Sequence, residues 1–384
     1  MLPSAEKACF LIADISGYTS YLAGVELEHA QDIIADLMEN VVKCLRPPFR
    51  LAKFEGDAAF LCAAGDRFDG SLIQDAIESA YFTFRKRLRN IDQATSCKCK
   101  ACHGMQQLDL KFVVHQGEFI KQRMAGREEI AGRDVIIVHR LLKNTVTESL
   151  GGHAYALFSD ACIRAMDIDT ASSGLIAHDE KVDGIGPLTC WIRDMENAWS
   201  GEKDRRRHLV TRKQAAHAIE FDIAALRPLL WEYFTVPGQR PKWRGADEVR
   251  ETVSAARRGV GTTNHCMHGP HAIIEEILDW RPFDYLTLTT LLPMPNAPAL
   301  TMSYIFTETG TGGTHIEIRI ARVKPKDAAF LEHVFEEFQK NITNEIATLR
   351  KLLEREQGSV ESEGAELGLA ASSKRFASSP VASG

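Results

Sequence analysis

No run of apolar residues in the 384-residue chain approaches the roughly 18 that a membrane-spanning helix needs. The first apolar run is interrupted by Lys7 and stops at Asp14, which is not the form of a secretory signal, so a cytoplasmic protein is expected. An excess of basic charge is also missing: Lys and Arg total 46 against 52 Asp and Glu, a net charge of -6. Neutralising a phosphate backbone takes concentrated cations, and this balance argues against a nucleic-acid partner. The one basic run, Lys203 to Arg207, reads as a solvated linker. No internal repeat organises the chain. Nine cysteines are an odd number, and Cys9, Cys44 and Cys62 fall in apolar segments, so no disulfide framework is expected.

What is present is enough chain for two or three cores. Residues 7–14 (KACFLIAD) read as a buried strand, 20–46 as a helix, and 50–54 with 58–63 as a hairpin turning on Glu55-Gly56-Asp57. Residues 72–90 follow as a helix, 109–115 as a strand closing on Gly117, 134–148 as a helix and 153–158 as a strand. A short helix (160–166) and strands near 176–182 and 188–194 complete this half. The order β-α-β-β-α-β with additions describes an α+β sandwich with helices on one face of a sheet. A polar stretch then marks a boundary. Beyond it lie a strand (215–222), a helix (224–233), five β-rich stretches between 258 and 323, and a long amphipathic helix over 326–354. The domains are read as 1–197 with a Cys-rich insert at 95–104, a linker at 198–208, a second domain at 209–356, and a disordered tail at 357–384 rich in Ser, Ala and Gly.

Asp14 ends a buried strand, and Asp57 sits at a hairpin tip that can pair beside it. Two carboxylates brought together repel unless a proton or cation intervenes, and a hard divalent cation with substrate phosphates is one resolution. The turn Ser16-Gly17-Tyr18-Thr19 opens a helix whose free backbone N–H groups suit phosphate oxygens. The plainer reading is also open: an Asp at a strand end is often a turn former or a helix cap.

The stretch FLIADISGYTSYL followed by KFEGDAAF resembles the metal-binding signature of class III adenylate and guanylate cyclases, over roughly residues 7–195. The resemblance implies a ferredoxin-like sandwich in which Asp14, Asp57 and the Ile15 carbonyl hold two Mg²⁺ or Mn²⁺ ions. Lys53 falls where adenylate-forming members contact adenine. IAGRDVIIVHRL matches at Gly132 and at Arg140, the transition-state arginine, while Glu129 falls on the base-reading position. Ile136 stands where the family keeps an asparagine that orients the ribose. The resemblance further implies a homodimer converting a nucleoside triphosphate to a cyclic 3′,5′-nucleotide. In it Asp14, Asp57, Lys53 and Glu129 come from one protomer and Arg140 from the other.

Cys97, Cys99, Cys102 and His103 form C-x-C-x-x-C-H in a polar loop, a spacing suited to structural Zn²⁺, with His115 or a distant residue as a further ligand. A redox-sensitive loop or no role are the other readings. Residues 209–355 resemble the helix-grip superfamily of START-type lipid-transfer proteins and polyketide cyclases (SRPBCC), on HAIEFDIAALRPLLWEYFTVPGQRPKW, the opening at Gly259-Val260-Gly261-Thr262, TETGTGGTHIEI and the final helix. That resemblance implies a cavity for an apolar small molecule or lipid, with Trp231, Trp243, Tyr285 and Tyr304 as candidate walls; core packing is their other reading. His265 and His268 read as surface positions on a strand. No nucleophile, base and orienting group come together in this half. Two functions follow: a ligand-regulated nucleotidyl cyclase, or a catalytically degenerate cyclase fold that serves as a nucleotide-binding or scaffold module.

Overall fold

The computed structural model describes residues 4–23, 25–94, 100–124, 126–205, 207–253, 257–294 and 297–366. Among the described residues the chain forms two sheets, one in each half. In the first half the strands are β1 (Glu6–Ser16), β2 (Arg50–Glu55), β3 (Ala58–Ala64), β4 (Asp109–Met124), β5 (Arg127–Ala131), β6 (Tyr155–Ser159), β7 (Ile176–Val182) and β8 (Gly186–Asp194). They are ordered β2-β3-β1-β4-β6-β8-β7, with β5 folded back on β4. Only the β4–β6 pairing is parallel. The helices are α1 (Tyr18–Leu22), α2 (Leu27–Leu45), α3 (Gly70–Ala94), α4 (Lys100–Gly104), α5 (Arg133–Arg140), α6 (Val146–Leu150), α7 (Asp160–Ala165) and α8 (Met195–Asp204).

Strand β1 is buried on both faces, which explains its unbroken apolar run. Its residues Cys9, Leu11, Ala13 and Ile15 join the core under α2 and α3. Ala8, Phe10 and Ile12 join a smaller core with Ile137 and Val138 of α5 and with Leu141 just after it. Helices therefore cover both faces rather than one: α2 and α3 form the thick layer, and α5 crosses the other side. By the two-residue period of a strand, Asp14 points to the α5 face.

Two predicted helices are broken. The first gives way between α1 and α2. The second ends at Arg140, because the Thr145 N–H and hydroxyl both bond the buried Glu180 carboxylate and Asn144 receives the Tyr155 hydroxyl. Strand β4 continues past Gly117 to Met124 before turning through Gly126, which adopts φ +81.

The second half contains β9 (Ala215–Ile223), α9 (Arg227–Thr235), β10 (Glu248–Thr252), β11 (Thr263–His268), β12 (His271–Arg281), β13 (Tyr285–Leu291), β14 (Leu300–Glu308), β15 (Thr314–Ala321) and α10 (Ala328–Glu366). The strands make one antiparallel sheet in the order β10-β11-β12-β13-β14-β15-β9. Ile342, Ile346, Leu349 and Leu353 of α10 pack into its core. The helix extends beyond the expected start of a disordered tail at 357, and residues 367–384 lie outside the described set.

The expected linker is mostly helix. α8 is capped by Asp194, whose side chain accepts from the Asn197 N–H, and Trp199 packs on Phe82. One hydrophobic core runs through α2 and α3 into the second half. Along α3 the junction is ionic: Asp69 faces Arg258 at 3.0 Å, Glu78 faces Arg257 at 2.5 Å, and the Trp280 indole N–H donates to Asp75 at 3.0 Å. No described helix is long and apolar enough to cross a membrane.

Candidate functional site

Strand pairing brings Asp14 and Asp57 to the same end of the sheet. Asp14 lies opposite Ala58 of β3, and the Ile15 N–H donates to the Asp57 carbonyl at 3.3 Å. Partial burial and the neighbouring Asp14 carboxylate push the Asp57 carboxyl up to about 6. On the other side of β1, Lys111 of β4 is opposite Asp14 and reaches its Oδ2 at 3.1 Å. This lysine also lowers Asp57, and its Nζ lies 3.5 Å from the Leu142 carbonyl. Sequence reasoning missed Lys111, although a lysine inside an apolar strand was the available signal.

The turn after β1 stands beside this pair. Gly17 adopts φ +85, where a Cβ would also sit 3.1 Å from the Gln107 carbonyl oxygen, so glycine is required there. The Ser16 hydroxyl lies 3.4 Å from the His153 carbonyl, Tyr18 is half-buried against the core, and Thr19 is exposed. Lys53 lies on β2, with its Nζ 2.8 Å from Glu55. Glu55 in turn faces His139 Nε2 at 3.1 Å, while His139 Nδ1 donates to the Val135 carbonyl at 2.7 Å. Partial burial raises the Glu55 carboxyl, but Lys53 and His139 outweigh it and hold the group below its ordinary value.

Two expected members do not join this cluster within one chain. Glu129 lies on β5 opposite Gln122. Lys111 and Gln122 share β4, and at about 3.3 Å per residue roughly 36 Å of strand separates them. Within one chain Glu129 therefore lies far along β4 from the position of Asp14. Arg140 ends α5 and donates to the Asp183 carbonyl in the β7–β8 turn, passing over Gly184. Its neighbour His139 reaches the β2 edge, so adjacent residues of α5 serve opposite edges of the sheet. Ile136, on the same helix, is 53% exposed.

Cys97 and Cys99 lie outside the described residues, as do the side chains of Cys102 and His103, so the zinc reading of these four falls outside them too. His115 is not free to complete such a site. It is buried, with Nδ1 2.8 Å from the Ser159 hydroxyl and Nε2 3.4 Å from Asp134, and burial lowers its pKa against the pull of Asp134. Among the described residues no three His, Cys, Asp or Glu side chains converge. The Asp14 and Asp57 carboxylates and the Ile15 carbonyl are all oxygen donors, a set that suits a hard divalent cation.

The second half holds a cavity of about 140 Å³ between α10 and the sheet. Tyr304 lines it. Trp231 and Trp243 are core instead, the latter donating to the Tyr233 carbonyl at 2.9 Å, and the Tyr285 hydroxyl is held by Asp279 at 2.8 Å. The wall is mainly apolar, with Arg240, Arg244, Glu275 and Glu345 contributing charged groups to it.

A family described as a protein of unknown function (DUF2652) matches residues 34–150. Among solved structures, the guanylyl cyclase Cya2 is similar at 17% identity over 50% of this chain and 93% of its own, with a TM-score of 0.38. The adenylyl cyclase CyaB from P. aeruginosa is similar at 16% identity over 54% and 100%, with a TM-score of 0.35. Protein Ms6760 from Mycobacterium smegmatis is similar at 20% identity over 35% and 88%, with a TM-score of 0.30. The uncharacterized protein Rv2561/Rv2562 of Mycobacterium tuberculosis is 36% identical over 163 residues, which cover 42% of this chain and 73% of the relative. At that identity and coverage, the chain belongs to the family of Rv2561/Rv2562.

Proposed function

We propose that the first half is a nucleotide site of the class III cyclase type, converting ATP or another nucleoside triphosphate to a cyclic 3′,5′-nucleotide, with the second half as its ligand-binding regulator. The observation that carries this reading is the Asp14–Asp57 pair. Two carboxylates meet at adjacent strand ends, and the second is pushed to about 6 because its charge is unwelcome there. Lys111 offsets part of this repulsion through Asp14, and a divalent cation would offset the rest.

Asp14, Asp57 and the Ile15 carbonyl hold Mg²⁺ or Mn²⁺ in this reading. The bound metal supplies neutralisation of the triphosphate and of the attacking oxygen. Lys111, tied to Asp14 at 3.1 Å, adds a fixed positive charge on the same face, and the Ser16–Thr19 backbone borders the phosphates. The ribose 3′-oxygen attacks the α-phosphorus, its proton leaves to solvent, and pyrophosphate departs. Lys53 contacts the base. Glu129 reads the base and Arg140 stabilises charge on the transferred phosphate, both donated by a second protomer. The separation of Glu129 and Arg140 from the carboxylate pair in one chain supports a dimeric site.

Incubation of the full chain with Mn²⁺ and each nucleoside triphosphate, with products read by mass spectrometry, tests this. A cyclic mononucleotide with equimolar pyrophosphate is expected, and none from Asp57→Ala. No cyclic product from the wild-type chain refutes it. One observation favours a second reading: the exposed Ile136 offers no hydrogen bond to a ribose, which suits a module that binds nucleotide without turning it over. Calorimetric binding of ATP and Mn²⁺ without product selects that reading.

A further inference from the structure

The cavity beneath α10 combines an apolar barrel with a charged floor. Val334 and Phe338 of the helix and Ile273, Leu300 and Met302 of the sheet supply apolar walls. At one side Arg240 is 4% exposed and Glu275 3% exposed. Their contact is 2.8 Å, with a hydrogen bond of 3.0 Å from Arg240 Nη2 to Glu275 Oε1. Burial raises the Glu275 carboxyl, but Arg240 and Arg244 outweigh it and keep it ionised. A buried ion pair of this kind is costly, and a purely structural pair is expected to satisfy all its polar atoms. Here Arg240 Nε and Glu275 Oε2 both lack a hydrogen-bond partner among the described residues.

Two guanidiniums carry about five N–H donors each. The facing acceptors are the Glu275 and Glu345 carboxylates and the Tyr304 hydroxyl. Glu345 already receives the Gly245 N–H at 3.0 Å and meets Arg244 Nε only at 3.5 Å. The partner missing at Arg240 is an acceptor, and a guanidinium fork fits a carboxylate best. Size limits the rest of the ligand. An engineered cavity of about 150 Å³ holds one benzene ring, and this one is close to that at about 140 Å³. A lipid chain does not fit without displacing α10.

We propose that this cavity binds a compact one-ring carboxylic acid, its ring between α10 and the sheet and its carboxylate on Arg240 and Arg244. This deepens the regulatory part of the reading above and does not involve nucleotide. The test uses the full chain without metal or nucleotide, so its failure and the failure of cyclisation are separately visible.

The probes are 4-fluorobenzoate and fluorobenzene, followed by fluorine NMR and calorimetry. Fluorobenzoate is expected to bind about tenfold or more tightly than fluorobenzene, the worth of one charge-assisted contact. Ala246→Leu, which fills the cavity, is expected to abolish both. Arg240→Met is expected to erase the preference for the acid. If that variant fails to fold, the acid-to-hydrocarbon ratio and Ala246→Leu decide alone. The proposal is overturned if wild-type protein binds no fluorobenzoate at millimolar concentration, if fluorobenzene binds equally well, or if Ala246→Leu binds like wild type.

Discussion

Replacing Asp57 by Asn separates a carboxylate that merely caps a turn from one placed to share a cation. In the metal-free protein the Asp57 charge is opposed by burial and by Asp14, which lifts its pKa from 3.8 to about 6. The raised value means that the folded protein holds a proton there longer than the unfolded chain does. The penalty is therefore absent below about pH 4, grows as pH rises, and is complete above about pH 6. Fully buried, a shift of that size would amount to about 3 kcal/mol. The group is only half-buried, and solvent screening reduces this to about 1 kcal/mol. In EDTA at pH 8, Asp57→Asn should thus be more stable than wild type by about 1 kcal/mol, and at pH 4 the two should coincide.

Adding Mn²⁺ should reverse the order. A ligand at a hundred times its dissociation constant stabilises the folded state by about 2.7 kcal/mol, and the variant, lacking one donor charge, should gain little of this. Thermal melts of both proteins at pH 4 and pH 8, with EDTA and with Mn²⁺, give all the comparisons. Destabilisation by Asp57→Asn in EDTA at pH 8, or an equal Mn²⁺ gain in both proteins, would show that Asp57 is a turn residue.

Three further outcomes follow from other parts of the fold. Burial pushes the Asp75 carboxyl up to about 7 against the opposing pull of Arg257 and the Trp280 indole. Stability should therefore fall by up to about 1.4 kcal/mol per pH unit between the unfolded pKa near 4 and pH 7, and urea titrations of Asp75→Asn should lose that slope. Gly117→Ala would set a Cβ on the Asp134 carboxylate, which receives the Glu118 N–H at 2.7 Å. Denaturant midpoints should report a loss of about 1–3 kcal/mol. Ile136→Asn changes an exposed position, so stability should stay within about 0.5 kcal/mol while initial rates of cyclic-nucleotide formation rise; an unchanged rate would show that an asparagine at 136 does not orient the ribose.

Features governed by local pattern were legible in the sequence. The buried β1 shows as an unbroken apolar run, and the Glu55-Gly56-Asp57 turn shows as a polar break between two such runs. Features set by distant partners were not. Gly117 looks like a strand end, yet it is glycine because Asp134 leaves no room for a Cβ, and the strand continues past it. The 134–148 stretch has helical composition throughout, but Glu180, far along the chain, captures the Thr145 N–H and ends the helix. Residues 198–204 are polar enough for a linker and form a helix because Asp194 caps it and Trp199 anchors it. Arg240 and Arg244 stand out by no local pattern, since nothing nearby in the sequence says that Glu275 and Glu345 will close over them.

The two halves meet along α3. α3 carries two different faces. Tyr81 and Phe84 belong to the core under the first sheet, while Asp75 and Glu78, with Asp69 just before the helix, face Trp280, Arg257 and Arg258 of the second half. Trp280 also borders a small void shared with Arg240, Arg244 and Tyr304. The charged floor of the second-half cavity is therefore one side chain away from the helix that supports the carboxylate-bearing sheet. Adjacency alone is not coupling, which requires an element with two arrangements that both sites bias. Trp280 is the residue where such a bias would register, because its indole N–H has Asp75 as its acceptor and its ring packs edge-on against Trp231 at 4.7 Å. A ligand that repositions Arg240 without disturbing that indole would leave the first half unchanged. Trp280 fluorescence is thus the quantity that separates a regulator from a passenger.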